Sequence, residues 1–182
     1  MRGAAPVSKD MKELIRVFAQ ITLLRRGPQD LPASPLLTVL SIVAYLAVNF
    51  VIAAALPPAS GWPLQLLIGA LFTLLWYIVV LRLVGRPERI PQTVSAVFGL
   101  ETLLSPPLIV CEWLMRRFGT DTTWQLPIAV VGLLLVIWLI AANAHVVRAA
   151  LEWSLAASVA LVILRIVATE LLLIALFAPA NT

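Results

Sequence analysis

The chain has 182 residues, 62% of them hydrophobic and 12% charged, with a mean hydropathy of +1.01 and a net charge of +4. A soluble domain is roughly 45–50% apolar and about 25% charged, so this chain must use lipid as part of its solvent, and its length leaves no room for a separate soluble domain. The basic residues lie beside the apolar stretches, where they set topology, which argues against nucleic-acid binding, and the lone Cys111 excludes an internal disulfide or a thiolate metal site.

The fold class that follows is an all-α polytopic transmembrane bundle of five spans, preceded by an amphipathic helix. Residues 1–34 form an N-terminal segment expected in the cytoplasm, and residues 35–182 the transmembrane domain. The start mixes charged and apolar residues, unlike a cleavable signal peptide.

Within residues 8–26, Met11, Leu14, Ile15, Phe18, Ile21 and Thr22 recur at three- and four-residue spacing, which marks an amphipathic helix. Ser8, Asp10 and Glu13 offer its cap, and Gly27-Pro28 is expected to stop it. Lys9, Lys12, Arg16, Arg25 and Arg26 are its candidate contacts with an anionic lipid surface. The other reading of the same pattern is a helix packed under the bundle or against a partner. Residues 28–35, PQDLPASP, form an extended connector.

Spans are expected at 36–56, 64–84, 93–115, 125–147 and 153–177. The turn PPASGWP between the first two is uncharged, while the second ends in a basic loop at Arg82, Arg86 and Arg89. The third span carries Glu101 and the pair Pro106-Pro107. Two prolines remove two backbone donors and crowd the preceding turn, so the helix is expected to break or kink there, giving either a kinked span or a re-entrant hairpin.

With five spans and a cytoplasmic N-terminus, ten of the thirteen basic residues fall on the cytoplasmic side. Arg116 and Arg117 fall opposite, and Arg165 lies within the fifth span. This is a positive-inside pattern, and it places the C-terminus on the periplasmic side. Only Lys9 and Lys12 among the thirteen are lysines. Together with the abundance of alanine and leucine, this fits a high-GC source and a bacterial inner membrane. Trp62, Trp113, Trp124 and Trp153 fall near span ends, as interfacial indoles do, whereas Trp76 and Trp138 fall inside spans.

An ionisable side chain at bilayer depth costs a few kcal/mol, so it faces protein, water or a partner. The candidates are Glu101, Arg165 and Glu170. At about 1.5 Å per residue they lie about 12, 18 and 25 Å from the cytoplasmic face. Arg165 reaches Glu101 if their spans adjoin. Arg165 and Glu170 are about 140° apart around one helix and so are expected to point to different sides. Such groups form a structural ion pair, a seam for another subunit, or an ion or proton relay. The single histidine, His145, beside Arg148, reads as an interfacial hydrogen-bonding residue rather than a metal ligand.

Val84 to Val110, VGRPERIPQTVSAVFGLETLLSPPLIV, has a glycine-and-basic loop leading into a span that ends in prolines. With the proline-rich approach and five short-looped spans, it resembles the Yip family of membrane-trafficking proteins and their bacterial five-span relatives. The eukaryotic members carry Asp-Leu-x-Gly-Pro before the first span. Here Gly27-Pro28-Gln29-Asp30-Leu31 holds the same residues in another order. The resemblance implies a five-helix membrane fold and carries over no catalytic residue.

The expectation is therefore a non-enzymatic scaffold, assembly factor or accessory subunit without cofactor or metal. Its partners would be the lipid bilayer and another membrane protein or a second copy of itself. The alternatives are a small transporter or channel using Glu101, Arg165 and Glu170, or a lipid-handling protein.

Overall fold

The computed structural model describes residues 7–56, 62–118 and 122–177, without the side chains of residues 7–12 and 122. The described residues form six helices: α1 (Val7–Thr22), α2 (Pro35–Ala55), α3 (Trp62–Leu83), α4 (Ile90–Phe118), α5 (Thr122–Leu151) and α6 (Leu155–Phe177). The five helices α2 to α6 are each long and apolar enough to cross a membrane. This is an all-α bundle of the multi-pass membrane class.

Two expectations about helix ends change. No break occurs at Pro106-Pro107, because α4 runs through both as one helix of 29 residues. That is about 43 Å of helix, enough to cross the bilayer, so of the two expected forms the span holds and the re-entrant hairpin does not. Neighbouring helices tolerate the carbonyls that two missing N–H groups leave free, as interior prolines require in membrane helices. Secondly, α1 ends at Thr22, before Gly27-Pro28. The N–H of Leu24 bonds the carbonyl of Ile21 and that of Arg25 the carbonyl of Gln20, with Leu24 at φ 60°. This is a Schellman cap made with a leucine in the left-handed region. The expected contacts of Lys9 and Lys12 and the expected cap at Ser8 or Asp10 fall on side chains outside the described residues.

The neighbours run α2–α4, α4–α5, α5–α6, α6–α3 and α3–α2, which closes a ring of five helices. At one end α4 is enclosed on every side, with Thr93 to Glu101 all buried. Lipid tails are as apolar as leucine, so close packing and polar contacts hold this layer rather than exclusion from water. Ser95, Ala96 and Gly99 keep the helix surface slim there. The Thr38 hydroxyl lies 3.1 Å from the Ser95 hydroxyl and 3.2 Å from the Pro91 carbonyl, and Tyr45 meets Phe98 edge to face at 5.3 Å.

The amphipathic helix supplies the remaining cover. α1 packs on α4 and α5, burying Val17, Ile21 and Thr22 while Arg16, Arg25 and Arg26 stay exposed. The Phe18 ring sits on Gly99, where a Cβ would overlap it. Trp138 donates its indole N–H to the Thr22 carbonyl at 3.1 Å, His145 meets the Arg26 carbonyl at 3.0 Å, and Gln92 donates to the Leu31 carbonyl at 2.8 Å. Helix α1 is thus docked against the bundle, with its arginines left on the outside.

The loops at this end are clasped together. Gly85, at φ 76°, ends α3, and Arg86 and Arg89 reach Glu152 in the α5–α6 turn at 2.7 and 2.8 Å. Arg89 also donates to the carbonyls of Ala149 and Ala150, which caps α5. Hydrogen bonds from Arg86 and then Arg89 hold the Glu152 carboxyl down at about 2, from an ordinary 4.5. A lowered carboxyl contributes its stabilisation fully above the unfolded value and loses it as pH falls through the folded one. The difference in thermal midpoint between wild type and Glu152→Gln should therefore be constant from pH 9 to about 5 and vanish as pH falls from about 4.5 towards 2. A difference that disappears near neutral pH would contradict this account of the clasp.

Candidate functional site

Glu101 and Arg165 meet near the middle of the bundle. Helix α6 packs on α5 and α3 rather than closely on α4, so the long arginine reaches across to the carboxylate. Its Nη2 donates to Glu101 Oε1 at 2.8 Å and its Nη1 to the Thr73 hydroxyl at 2.8 Å. The two charged side chains are 7% and 11% exposed, and the guanidinium carbon lies 5.9 Å from the centre of the Tyr77 ring. Charge-assisted bonds of this length are the strong class, and they are what makes two charges tolerable at this depth. Thr73 is the partner that sequence reasoning missed. A lone threonine inside an apolar helix gives no signal until α3 is known to face α6.

The pair forms the floor of a cavity of about 460 Å³ to which all five long helices contribute. On α4 the lining residues Glu101, Ser105, Leu108, Glu112 and Arg116 recur every three or four residues, along one face. On α3 the stripe is Trp62, Gln65, Leu66, Gly69 and Thr73, and on α2 it is Tyr45, Asn49 and Ala53. Ala53, Trp62, Arg116 and Leu173 all stand near the helix ends away from the basic loops, whereas Tyr45, Thr73, Glu101 and Arg165 stand near mid-helix. The cavity is therefore a vestibule occupying one half of the bundle. It is blind at the charged pair, because the other half is filled by the Thr93–Glu101 layer.

Glu170 lines this same vestibule. Arg165 is buried against Glu101 while Glu170 is exposed, so the two side chains point apart as their separation of about 140° implies, and both still border the opening. Glu170 is exposed and has no ion pair among the described residues. Glu112 and Arg116 face each other at 3.7 Å, one helical turn apart. The formal charge of the lining is three carboxylates against two arginines, a net of minus one. Two deep donors remain unused: Arg165 Nε and the Ser105 hydroxyl are buried without a hydrogen-bond partner. An unpaired polar atom beside a cavity is a place for water or a solute group.

Pro106 and Pro107 lie between Ser105 and Leu108, both of which line the vestibule. The prolines remove the donors for the Thr102 and Leu103 carbonyls, and the Thr102 hydroxyl turns back to the Phe98 carbonyl at 2.7 Å. Arg16, Arg25 and Arg26 lie at the other end and take no part in this site. Among the described residues no group of His, Cys, Asp and Glu could hold a metal ion. Comparison with protein-family models, with curated proteins and with solved structures finds no match to this chain.

Proposed function

We propose that this chain is a non-enzymatic, multi-pass protein of a bacterial inner membrane that admits a small polar or cationic solute into a one-ended vestibule, as a small transporter or channel component does. The charge asymmetry supports basic loops on the cytoplasmic side and a vestibule that opens to the opposite side. The observation that carries this reading is the setting of the Glu101–Arg165 pair. The pair is largely wrapped in side chains, but it borders a cavity of about 460 Å³ and has unused donors beside it, which a sealed structural pair would lack. The net negative lining favours cations and neutral polar solutes over anions.

Single cysteines placed in a Cys111→Ser background test the proposal. Gln65 and Thr169 on the vestibule wall should react with a membrane-impermeant thiol reagent added to intact cells, and Leu134, 60% exposed on α5 and outside the vestibule lining, should not. Labelling at Gln65 and Thr169 only from inside-out vesicles would reverse the orientation. No labelling from either side would remove the vestibule.

A second reading, a scaffold or accessory subunit, is favoured by Glu170. A carboxylate exposed on a membrane helix, without an ion pair among the described residues, is a natural seat for a cation of another chain. This is also the kind of role that a Yip-like protein would have. Glu170→Gln would then lose a co-purifying partner while leaving vestibule labelling unchanged.

A further inference from the structure

The end of the bundle opposite the vestibule carries a second concavity, of about 330 Å³, lined by His145, Arg148, Ala149, Glu152 and Trp153. We propose that it is a binding site for the phosphate of an anionic phospholipid headgroup. Its place fits that ligand. It lies at the turn joining α5 and α6, where two membrane-crossing helices end and headgroups begin. Trp153, 37% exposed, offers the amphipathic ring that settles at this depth, and Leu155, 55% exposed, continues the same edge towards the acyl chains.

The charge fits as well. Glu152 is the one carboxylate in the wall, and both its oxygens are already engaged: Oε1 by Arg86 at 2.7 Å and Arg89 at 2.8 Å, and Oε2 by Arg86 at 2.8 Å. Glu88 also acts on Arg86, so Arg86 and Arg89 stand against two carboxylates and this cluster is neutral, which leaves Arg148 as the uncompensated charge in the wall. Arg148 is exposed and has no ion pair among the described residues. The contact between His145 and the Arg26 carbonyl holds the Arg25-Arg26 segment beside the pocket, and both arginines are exposed without an ion pair among the described residues. Arg148 in the wall, with Arg25 and Arg26 on the segment that His145 holds nearby, supplies free guanidinium groups at headgroup depth, and basic pockets between membrane helices bind the phosphate of a lipid. Docking of α1 is what brings Arg25 and Arg26 to α5.

The test uses the full-length protein in detergent, with lipid adducts counted by native mass spectrometry. Phosphatidylglycerol and phosphatidylcholine of identical acyl chains are compared. The expected result is preferential retention of phosphatidylglycerol, reduced about fivefold by Arg148→Gln and further by Arg25→Gln with Arg26→Gln. Arg148→Lys should keep most of the binding, and Arg117→Gln at the other end should leave it unchanged. Equal retention of the two lipids would overturn the proposal, as would an equal loss in Arg117→Gln, which would mean diffuse charge attraction. Inorganic phosphate is the remaining arm. If it displaces the lipid at millimolar concentration, the site is one for free phosphate and the lipid assignment is wrong. Circular dichroism of each variant separates lost binding from lost fold, and the two variant sets alter different helices, so one misfolded protein does not leave the question open. Vestibule labelling is a separate readout at the opposite end, so either proposal can fail without the other.

Discussion

Arg165→Leu should be the most damaging single charge substitution in the protein, because it strands Glu101 near mid-bundle. Removing one partner of a buried ion pair costs about 3–5 kcal/mol, and the lower end applies here because the vestibule lets water reach the remaining carboxylate. Glu101→Gln alone should cost a similar amount by stranding the guanidinium, which keeps only its bond to Thr73. The double variant should recover a large part of the loss, since an apolar or neutral replacement of both charges can be nearly neutral. Thermal unfolding in detergent of the four proteins closes the cycle and gives the coupling energy directly. Additive losses in the double variant would show that the 2.8 Å pair contributes nothing as a pair. Vestibule labelling of the same four proteins adds a functional reading. If the pair acts as the solute-facing floor, the double variant should fold, label at Gln65 and yet fail to support growth in cells that depend on the protein. If the pair is structural alone, the refolded double variant should also restore growth.

Gly99→Leu should come close to that effect by a different physical route. Gly99 is the point where α4 admits the Phe18 ring, and a Cβ there already overlaps ring atoms. Overpacking a filled site costs about 1–3 kcal/mol for modest additions, and a leucine lies at or above the top of that range. The helix that must yield is α1, since α4 is gripped on all other sides. Its displacement would also break the bonds from Trp138 to Thr22 and from His145 to Arg26. Gly99→Ala should show the same defect in milder form, and Phe18→Ala should relieve it. Midpoints for Gly99→Ala, Phe18→Ala and the pair are expected to show a favourable coupling. A pair no better than the sum of its parts would mean that the contact between Phe18 and Gly99 does not position α1. Tryptic cleavage after Arg16, on the outer side of α1, should become faster in Gly99→Leu if the helix lifts away.

These two substitutions act on the two halves of one design. The half near the basic loops is solid because α1 and the slim surface at Ser95, Ala96 and Gly99 let α4 run through the centre. The other half is hollow because α4 and α6 stand on either side of α5 without packing closely on each other. Arg165 bridges the gap where solid gives way to hollow. A shorter side chain at that position would not reach, so the same arginine that is costly to bury is also the tie across the cavity.

Hydropathy alone was enough for the class of the protein and the location of its spans. Twenty or so apolar residues in a row leave no other way to satisfy backbone groups in lipid, and for that reason the ends of α2, α3 and α6 lie within a residue or two of expectation. Longer differences arise in α4 and α5, which extend past their apolar windows at both ends, because loop residues such as Ile90 and Ala150 find protein cover there. The intramembrane charges were also legible, since composition alone makes Glu101 and Arg165 costly and so in need of each other. The tertiary structure decided the rest. Periodicity could not tell whether the apolar face of α1 meets lipid or protein, because both are apolar; the contacts at Gly99, Trp138 and His145 put Phe18 and the end of α1 against protein, while Ile15 stays 58% exposed. A proline pair reads as a break when only its own helix is considered, and becomes tolerable once four neighbours surround that helix. Thr73 and Ser105 carry no signal in one dimension, because a hydroxyl in a membrane helix matters only through what it faces. The vestibule has no sequence of its own: it is the space left by five helices in a ring, and only their arrangement in three dimensions makes it.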